Sequence, residues 1–178
     1  ILFDNRGMGQ STGSPDQYTT KLMADDAASL LNRLHIEKAH IVGTSMGGMI
    51  AQELAINYPE KIDRLVLAST FAKHPEMITV LRKKLTQLIT TDVKTLDFTA
   101  QSFTFRPMYT LLLKQVFSES FLQRHGPMIT HMLDRFLTQD TYVETFLKQL
   151  HAIKHHDTTD RLDKITADTL ILTCDNDR

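Results

Sequence analysis

The sequence predicts an α/β fold, in which a mostly parallel sheet carries helices on both faces and a helical segment is inserted into the core. Three observations predict it. Short, mainly apolar runs such as Ala39–Val42, Arg64–Ala68 and Thr169–Thr173 are typical of buried parallel strands. Helical patterns alternate with these runs. Between about residues 71 and 157 the periodicity is helical throughout, with no convincing strand.

The core segment 1–71 begins with a short apolar run, Ile1–Asp4, for which we expect a strand that leads into a polar, glycine-containing loop. From position 19 or 20 to position 34, apolar residues recur at spacings of three and four, which predicts an amphipathic helix capped by a threonine. The strand Ala39–Val42 then precedes a helix from about Met46 to Asn57.

The segment 72–157 is predicted to be a helical insertion, and residues 158–178 return to the α/β core with the strand Thr169–Thr173 and a polar loop. The helices predicted within the insertion cover about residues 76–89, 107–117, 119–137 and 141–153.

The composition is that of a globular domain that is soluble and large enough to bury a core, since 42% of the 178 residues are hydrophobic and 23% are charged. A formal net charge of -1 gives no general attraction to nucleic acid or to an anionic membrane, so we expect neither partner. No apolar run approaches the roughly 18 residues of a membrane span. The single cysteine, Cys174, excludes an internal disulfide and favours a cytoplasmic protein.

The pentapeptide Gly43-Thr44-Ser45-Met46-Gly47 has the pattern G-x-S-x-G and lies between a predicted strand and a predicted helix. In that context the pattern predicts a nucleophile elbow, a sharp turn that exposes a strained serine hydroxyl near the positive end of the helix. We expect Gly43 and Gly47 to be required because a Cβ at either position would collide where the helix folds back over the strand. The alternative is a Gly/Ser-rich turn without chemistry.

Metal and cofactor sites are not expected. The histidines, acidic residues and Cys174 show no ligand spacing such as C-x-x-C or H-E-x-x-H. The loop Gly7-Met8-Gly9 lacks the third glycine of a dinucleotide-binding fingerprint.

With these elements in order, the chain resembles the α/β-hydrolase fold family and, within it, the serine hydrolases that carry a cap. The resemblance extends over the whole sequence and is loosest in the insertion. It is carried by a loop of the form D-x-R-G-x-G-x-S, by a strand, elbow and helix, and by a last strand with an acidic loop. These stretches are residues 3–11, 40–55 and 169–178.

The resemblance implies roles for three residues. Ser45 is the expected nucleophile, the backbone N–H of Met46 an expected oxyanion donor, and Asp177 the acid that orients a histidine base. Asp175 and Asp4 are the competing acids. Cys174 stands where the family usually has a glycine.

The base and the second oxyanion donor are expected outside this sequence, after Arg178 and before Ile1 respectively, because the family's histidine follows its acid. All eight histidines precede Asp177, and none is expected to be the base. The group His155-His156-Asp157 looks like a site, but it lies at the return from the insertion to the core.

The implied activity is hydrolysis of a small ester, thioester, lactone or related acyl substrate, without metal or cofactor. Related proteins use the same residues for carbon–carbon bond hydrolysis or cofactor-free perhydrolysis, and some are non-catalytic receptors, so these alternatives stay open. A serine at the elbow excludes the alkyl-enzyme chemistry of the relatives with an aspartate there. The insertion is expected to form a cap over the site. Neither the substrate nor the oligomeric state follows from the sequence.

The chain is also expected to be a piece of a longer protein. It starts at Ile1 without a methionine, within the first predicted strand, and stops at Arg178 just after the last one. In the family's sheet, the strand that joins Ile1–Asp4 to Ala39–Val42 would come from upstream. Two strand edges would then be unpaired, so residues 1–178 alone are expected to be inactive and poorly folded.

Overall fold

The computed structural model of the chain describes residues 1–73, 113, 117–137 and 142–174. It divides the chain into two compact units, residues 1–75 with 144–177 and residues 76–143 with Arg178, and each is considered by itself. The helix predicted at 76–89 and most of the one predicted at 107–117 lie outside the described residues.

The first unit contains a parallel sheet of three described strands, β1 (Ala39–Thr44), β2 (Ile62–Ala68) and β3 (Asp168–Leu172), in the order β1-β2-β3. The register places Thr44 opposite Ala68, and Ala68 opposite Leu172. The carboxyl ends of all three strands are therefore level at one edge of the sheet. The predicted α/β architecture with parallel strands is confirmed.

Two helices form most of the core with this sheet. Helix α1 (Thr20–Arg33) begins at the cap residue Thr19, whose hydroxyl accepts a 2.9 Å hydrogen bond from the Leu22 amide, as the sequence predicts. Helix α2 (Met46–Asn57) has the predicted bounds and packs against β1, β2 and α1. Every residue from Gly48 to Ile56 is buried, so α2 is surrounded on all sides.

The residues Ile1–Asp4 do not form the expected strand. The side chains of Ile1 and Leu2 are almost fully exposed, and the segment pairs with no described strand. A strand needs a hydrogen-bonding neighbour, and an apolar run without one stays an extended segment. The expected loop after it is present, closed by bonds from Met8 N to Asn5 O and from Ser11 N to Met8 O, both 2.9 Å long.

The two ends of the predicted insertion lie side by side in the first unit. Lys73 and Asp157 form an antiparallel bridge, and the Thr158 amide donates to the Ala72 carbonyl at 2.8 Å. The helix Tyr142–Lys154, which follows the insertion's other described helix, belongs to this unit from Glu144 onward. The function of segment 72–157 as a cap stays a prediction.

In the second unit, helix α3 (Glu119–Leu137) has the predicted bounds. Helix α4 (Tyr142–Lys154), most of which belongs to the first unit, starts one residue after its predicted start. Phe117 and Phe121 stack with their ring centroids 4.8 Å apart, and the His125 ring lies 4.5 Å beyond Phe121. Aromatic side chains of the insertion thus contact one another. None of the described helices is long and apolar enough to span a bilayer.

Candidate active site

Ser45 lies at the junction of β1 and α2, in the strand-to-helix position that the sequence predicts for it. Its backbone angles are φ 52° and ψ -121°, which a non-glycine residue rarely adopts. Such a conformation costs about 1 to 3 kcal/mol and persists only when the surroundings hold it. The Ser45 amide donates to the Ala68 carbonyl at 3.0 Å, and the residue is exposed. The fold thus presents this serine on a strained turn.

Gly43 is required for the close approach of α2 to β1. A Cβ built on Gly43 would overlap the carbonyl oxygen of Gly47 and would lie 2.7 Å from its carbonyl carbon and 2.8 Å from the Gly48 Cα. All three atoms are backbone atoms, so no flexible side chain can yield. The expectation for Gly43 is correct.

The same expectation is wrong for Gly47. A Cβ there would meet nothing within 4 Å among the described residues. The second crowded position is Gly48, where a Cβ would approach Thr70 to 2.6 Å. Successive residues of an α-helix point about 100° apart, so two neighbouring positions cannot both face the packed ends of the strands.

Met46 is the first residue of α2 and is half-buried. The N–H groups of a first helical turn have no partner within the helix, and together they form its positive end. Here the amides of Gly48 and Met49 donate to the Ser45 carbonyl at 2.9 and 3.2 Å. Met46 lies directly after Ser45, at the positive end of α2.

The neighbouring strand ends are joined to this turn. Ser69, which follows β2, also has a positive φ, 44°, and its amide donates to the Leu172 carbonyl at 2.9 Å. Because neighbouring strands are about 4.8 Å apart, the level ends of β1 and β3 lie about 10 Å apart. The chain leaves β3 through Thr173 and Cys174. The predicted acid Asp177 and its competitor Asp175 lie outside the described residues.

The other competing acid, Asp4, is engaged in its own loop. Its carboxylate accepts a 3.3 Å hydrogen bond from the Gln10 amide, and its carbonyl accepts a 2.7 Å bond from the Ser11 hydroxyl. Gly9, with φ 52°, lies so close that a Cβ there would overlap the Asp4 carboxylate. These contacts give Asp4 a structural role in closing the loop.

The same loop is fixed to α1 by an ion pair that the sequence analysis did not identify. Arg6 contacts both carboxylate oxygens of Asp26, at 2.6 and 2.7 Å, and its other terminal nitrogen donates to the Ser14 hydroxyl at 3.2 Å. This bonding raises the pKa of Arg6. The guanidinium carbon also lies 5.6 Å above the ring of the buried Tyr18.

The group His155-His156-Asp157 does not form a site, because its three members have different partners. His155 Nδ1 contacts the His151 carbonyl at 2.8 Å, buried His156 contacts the Thr20 hydroxyl through Nδ1 at 2.9 Å, and Asp157 pairs with Lys73 at 2.8 Å. Burial lowers the pKa of His156, and the hydrogen bond from Lys73 lowers the pKa of Asp157 to about 2. These contacts hold together the segment where the chain returns from the insertion to the core.

Behind the elbow, α2 carries two buried polar side chains that the sequence analysis also missed. Gln52 accepts a 2.6 Å hydrogen bond from the Thr158 hydroxyl and donates to the Phe71 carbonyl at 3.2 Å. Glu53, with a side chain 6% exposed, accepts two bonds from Arg161 at 2.7 and 2.9 Å. Helix α2 is thus hydrogen-bonded to residues on either side of the insertion.

Within the described part of the chain, no group of three or more histidine, cysteine, aspartate or glutamate side chains is arranged to hold a metal ion. His40, close to the start of β1, pairs with Asp63 on β2 at 3.1 Å, an exposed contact on the sheet.

Comparison with known proteins agrees with this fold. The family model described as alpha/beta hydrolase fold matches residues 1–178. The RutD protein of Serratia proteamaculans (strain 568), whose name proposes a carbamate hydrolase, is 27% identical over 99% of this chain and 62% of its own length. The 3-oxoadipate enol-lactonase 2 of Acinetobacter baylyi is 38% identical over 41% of this chain and 27% of its own.

Among solved structures, MGS-M2, an alpha/beta hydrolase enzyme from a Medee basin deep-sea metagenome library, superposes with a TM-score of 0.79. It shares 24% identity over 94% of this chain and 58% of its own. The chain thus spans less than two thirds of the length of each of these proteins.

Proposed function

This chain belongs to the alpha/beta hydrolase fold family, and from that premise we propose that Ser45 is the nucleophile of a cytoplasmic serine hydrolase. Its substrate is a small ester, thioester, lactone or related acyl compound. The observation that carries the proposal is the backbone of Ser45, which is held at φ 52° between β1 and α2 with the residue exposed. Strain of this kind is concentrated at functional sites.

In the proposed reaction, Ser45 Oγ attacks the substrate's carbonyl carbon while its proton passes to a histidine base supplied from outside this sequence. The carbonyl oxygen becomes negative and accepts a hydrogen bond from the Met46 N–H, at the positive end of α2. Collapse of this intermediate expels the leaving group, which takes the proton from the histidine. Water then attacks the acyl-enzyme in the same two steps, which releases the acid and regenerates Ser45.

Asp177 is proposed as the acid that orients the histidine. The support is the position of β3, which precedes it and ends level with β1 at the same edge of the sheet. In open α/β sheets, ligands bind outside the carboxyl ends of the strands, so residues following β1, β2 and β3 can share one site. The segment 72–157 is proposed to form a cap over that site.

The test compares the full-length protein with its Ser45→Ala and Ser69→Ala variants, with p-nitrophenyl acetate as substrate. Ser69 is a matched control because it is also an exposed serine with a positive φ at the end of a strand. Ser45→Ala is expected to lower kcat by at least about 1,000-fold, and Ser69→Ala to leave it unchanged.

Retention of turnover in Ser45→Ala would exclude Ser45 as the nucleophile. A wild-type protein that binds acyl compounds in a well-formed pocket without turnover would favour a receptor on the same scaffold. Cleavage of a diketone, or peroxide-dependent perhydrolysis of an acid, in place of ester turnover would assign Ser45 to one of those reactions.

A further inference from the structure

Thr70 follows the end of β2 and contacts the elbow in two ways. Its hydroxyl donates a hydrogen bond to the carbonyl oxygen of Ser45 at 2.8 Å. Its Cβ, Cγ2 and Oγ1 also lie against Gly48, where an added Cβ would approach them to between 2.6 and 2.7 Å. The residue is half-buried between these contacts. Neither the family pattern nor the proposed reaction assigns it a role.

The hydrogen bond acts on the same peptide unit that supplies the oxyanion donor. The carbonyl of Ser45 and the N–H of Met46 belong to one planar peptide unit, and it is trans because the described chain contains no cis bond. In a trans unit the C=O and N–H bonds point in opposite directions. A contact that fixes the direction of the Ser45 carbonyl therefore fixes the direction of the Met46 N–H.

The Ser45 oxygen also accepts bonds from Gly48 and Met49, but both donors belong to α2 and move with it. Within the described residues, Thr70 is the donor to this oxygen from a different element. The bond from Thr70 and the bond from the Ser45 amide to the Ala68 carbonyl connect both the carbonyl and the amide of Ser45 to the end of β2. A hydrogen bond to the carbonyl also polarises the peptide and strengthens its N–H as a donor.

We propose that Thr70 is a positioning residue, whose hydroxyl orients the Ser45–Met46 peptide so that the Met46 N–H points at the oxyanion. The inference rests on the proposed function. Loss of an oxyanion donor costs about 100- to 1,000-fold in rate. Loss of a neutral hydrogen bond that only orients the donor costs less, about 5- to 20-fold, equivalent to about 1 to 2 kcal/mol.

The experiment uses the full-length protein and its Thr70→Val variant, which keeps the shape of the side chain and removes the hydroxyl. We expect kcat for p-nitrophenyl acetate to fall about 5- to 20-fold and KM to change less than about 2-fold, because the contact acts on the transition state. Turnover is divided by the number of sites that a fluorophosphonate labels, so misfolded molecules do not contribute.

Two further variants separate orientation from folding. Thr70→Ser keeps the hydroxyl and is expected to retain kcat within about 2-fold. Thr169→Val is the matched control, because the Thr169 hydroxyl on β3 donates to the Ala167 carbonyl at 2.8 Å, and its loss is expected to leave kcat unchanged. If Thr70→Val does not fold, Thr70→Ala tests the same loss with less crowding at Gly48.

An unchanged kcat per labelled site in the hydroxyl-free variants would overturn the proposal, as would an equal fall in Thr70→Ser or in Thr169→Val. If the wild-type protein hydrolyses the ester and Ser45→Ala does not, either result refutes the role of Thr70 alone. If the wild-type protein neither hydrolyses the ester nor reacts with the fluorophosphonate, the proposed function and the role of Thr70 both fail.

Discussion

Replacing Gly43 with alanine tests how the elbow is built. The new Cβ would be 2.7 and 2.8 Å from two backbone carbons of α2 and would overlap the Gly47 carbonyl oxygen. Ordinary contacts between carbon atoms begin at about 3.5 Å, so the first turn of α2 must move away from β1 by roughly 0.7 Å or more. Overpacking of a buried site costs about 1 to 3 kcal/mol, and here no side chain can yield, so we expect about 3 kcal/mol.

The assay is urea unfolding of the full-length protein together with ester turnover. If Ser45 is the proposed nucleophile, a shift of this size beside it is expected to lower kcat by about 100-fold. Gly47→Ala is the matched control, because its Cβ meets nothing within 4 Å among the described residues, and alanine is the better helix former by up to about 1 kcal/mol. A Gly43→Ala protein as stable as the wild type, or a Gly47→Ala protein that loses as much stability, would refute the packing argument.

Two further predictions concern the buried polar contacts behind α2. Arg161→Met leaves the buried Glu53 carboxylate without its ion pair and is expected to lower the free energy of unfolding by about 3 to 5 kcal/mol, measured in urea. Burial lowers the pKa of His156 in the folded protein, where the charged groups of Glu53, Arg161 and Asp157 lie near it. Between this lowered pKa and the ordinary pKa of histidine, the unfolded chain therefore binds more protons than the folded protein does. The free energy of unfolding should therefore fall as the pH drops below about 6.5, and the neutral variant His156→Asn should weaken that dependence.

Each of these predictions has a control. Lys21→Met removes an exposed partner of Asp25 and is expected to lower the free energy of unfolding by no more than about 1 kcal/mol. If Arg161→Met lowers it by no more than Lys21→Met does, the argument from burial is contradicted. His131→Asn changes an exposed histidine of α3. If it alters the pH dependence as much as His156→Asn does, burial of His156 is not the cause.

Local patterns were sufficient to predict several elements. The bounds of α2 and α3, the Thr19 cap and the parallel strands follow from periodicity, capping and runs of apolar residues, all of which act over a few positions. The strand–turn–helix context was likewise sufficient to position Ser45 at a strained turn.

Contacts between distant residues could not be predicted in this way. Gln52 and Glu53 are polar, so their burial is not expected from the sequence. Their bonding partners in the buried position are Thr158 and Arg161, which follow 106 and 108 residues later. The bond from Thr70 to Ser45 likewise spans 25 residues. Periodicity does not predict such contacts, because they arise only when the fold brings distant segments of the chain together.

Two predictions from the sequence are wrong for the same physical reason. The apolar run Ile1–Asp4 was expected to be a strand, but pairing depends on a neighbour and not on the run itself. Gly47 was expected to be crowded because it belongs to the pattern G-x-S-x-G, whereas the direction of each Cβ on α2 makes Gly48 the crowded position. In both cases the outcome depends on a partner that lies outside the local pattern.

The most direct test of the proposed role of Ser45 is to identify the residue of the full-length protein that reacts with a fluorophosphonate, by peptide mass mapping of the adduct. The expected result is one adduct, on the peptide that contains Ser45, which disappears in Ser45→Ala and persists in Ser69→Ala. An adduct on another serine, or no adduct on a protein that hydrolyses esters, would contradict the assignment of Ser45 as the nucleophile.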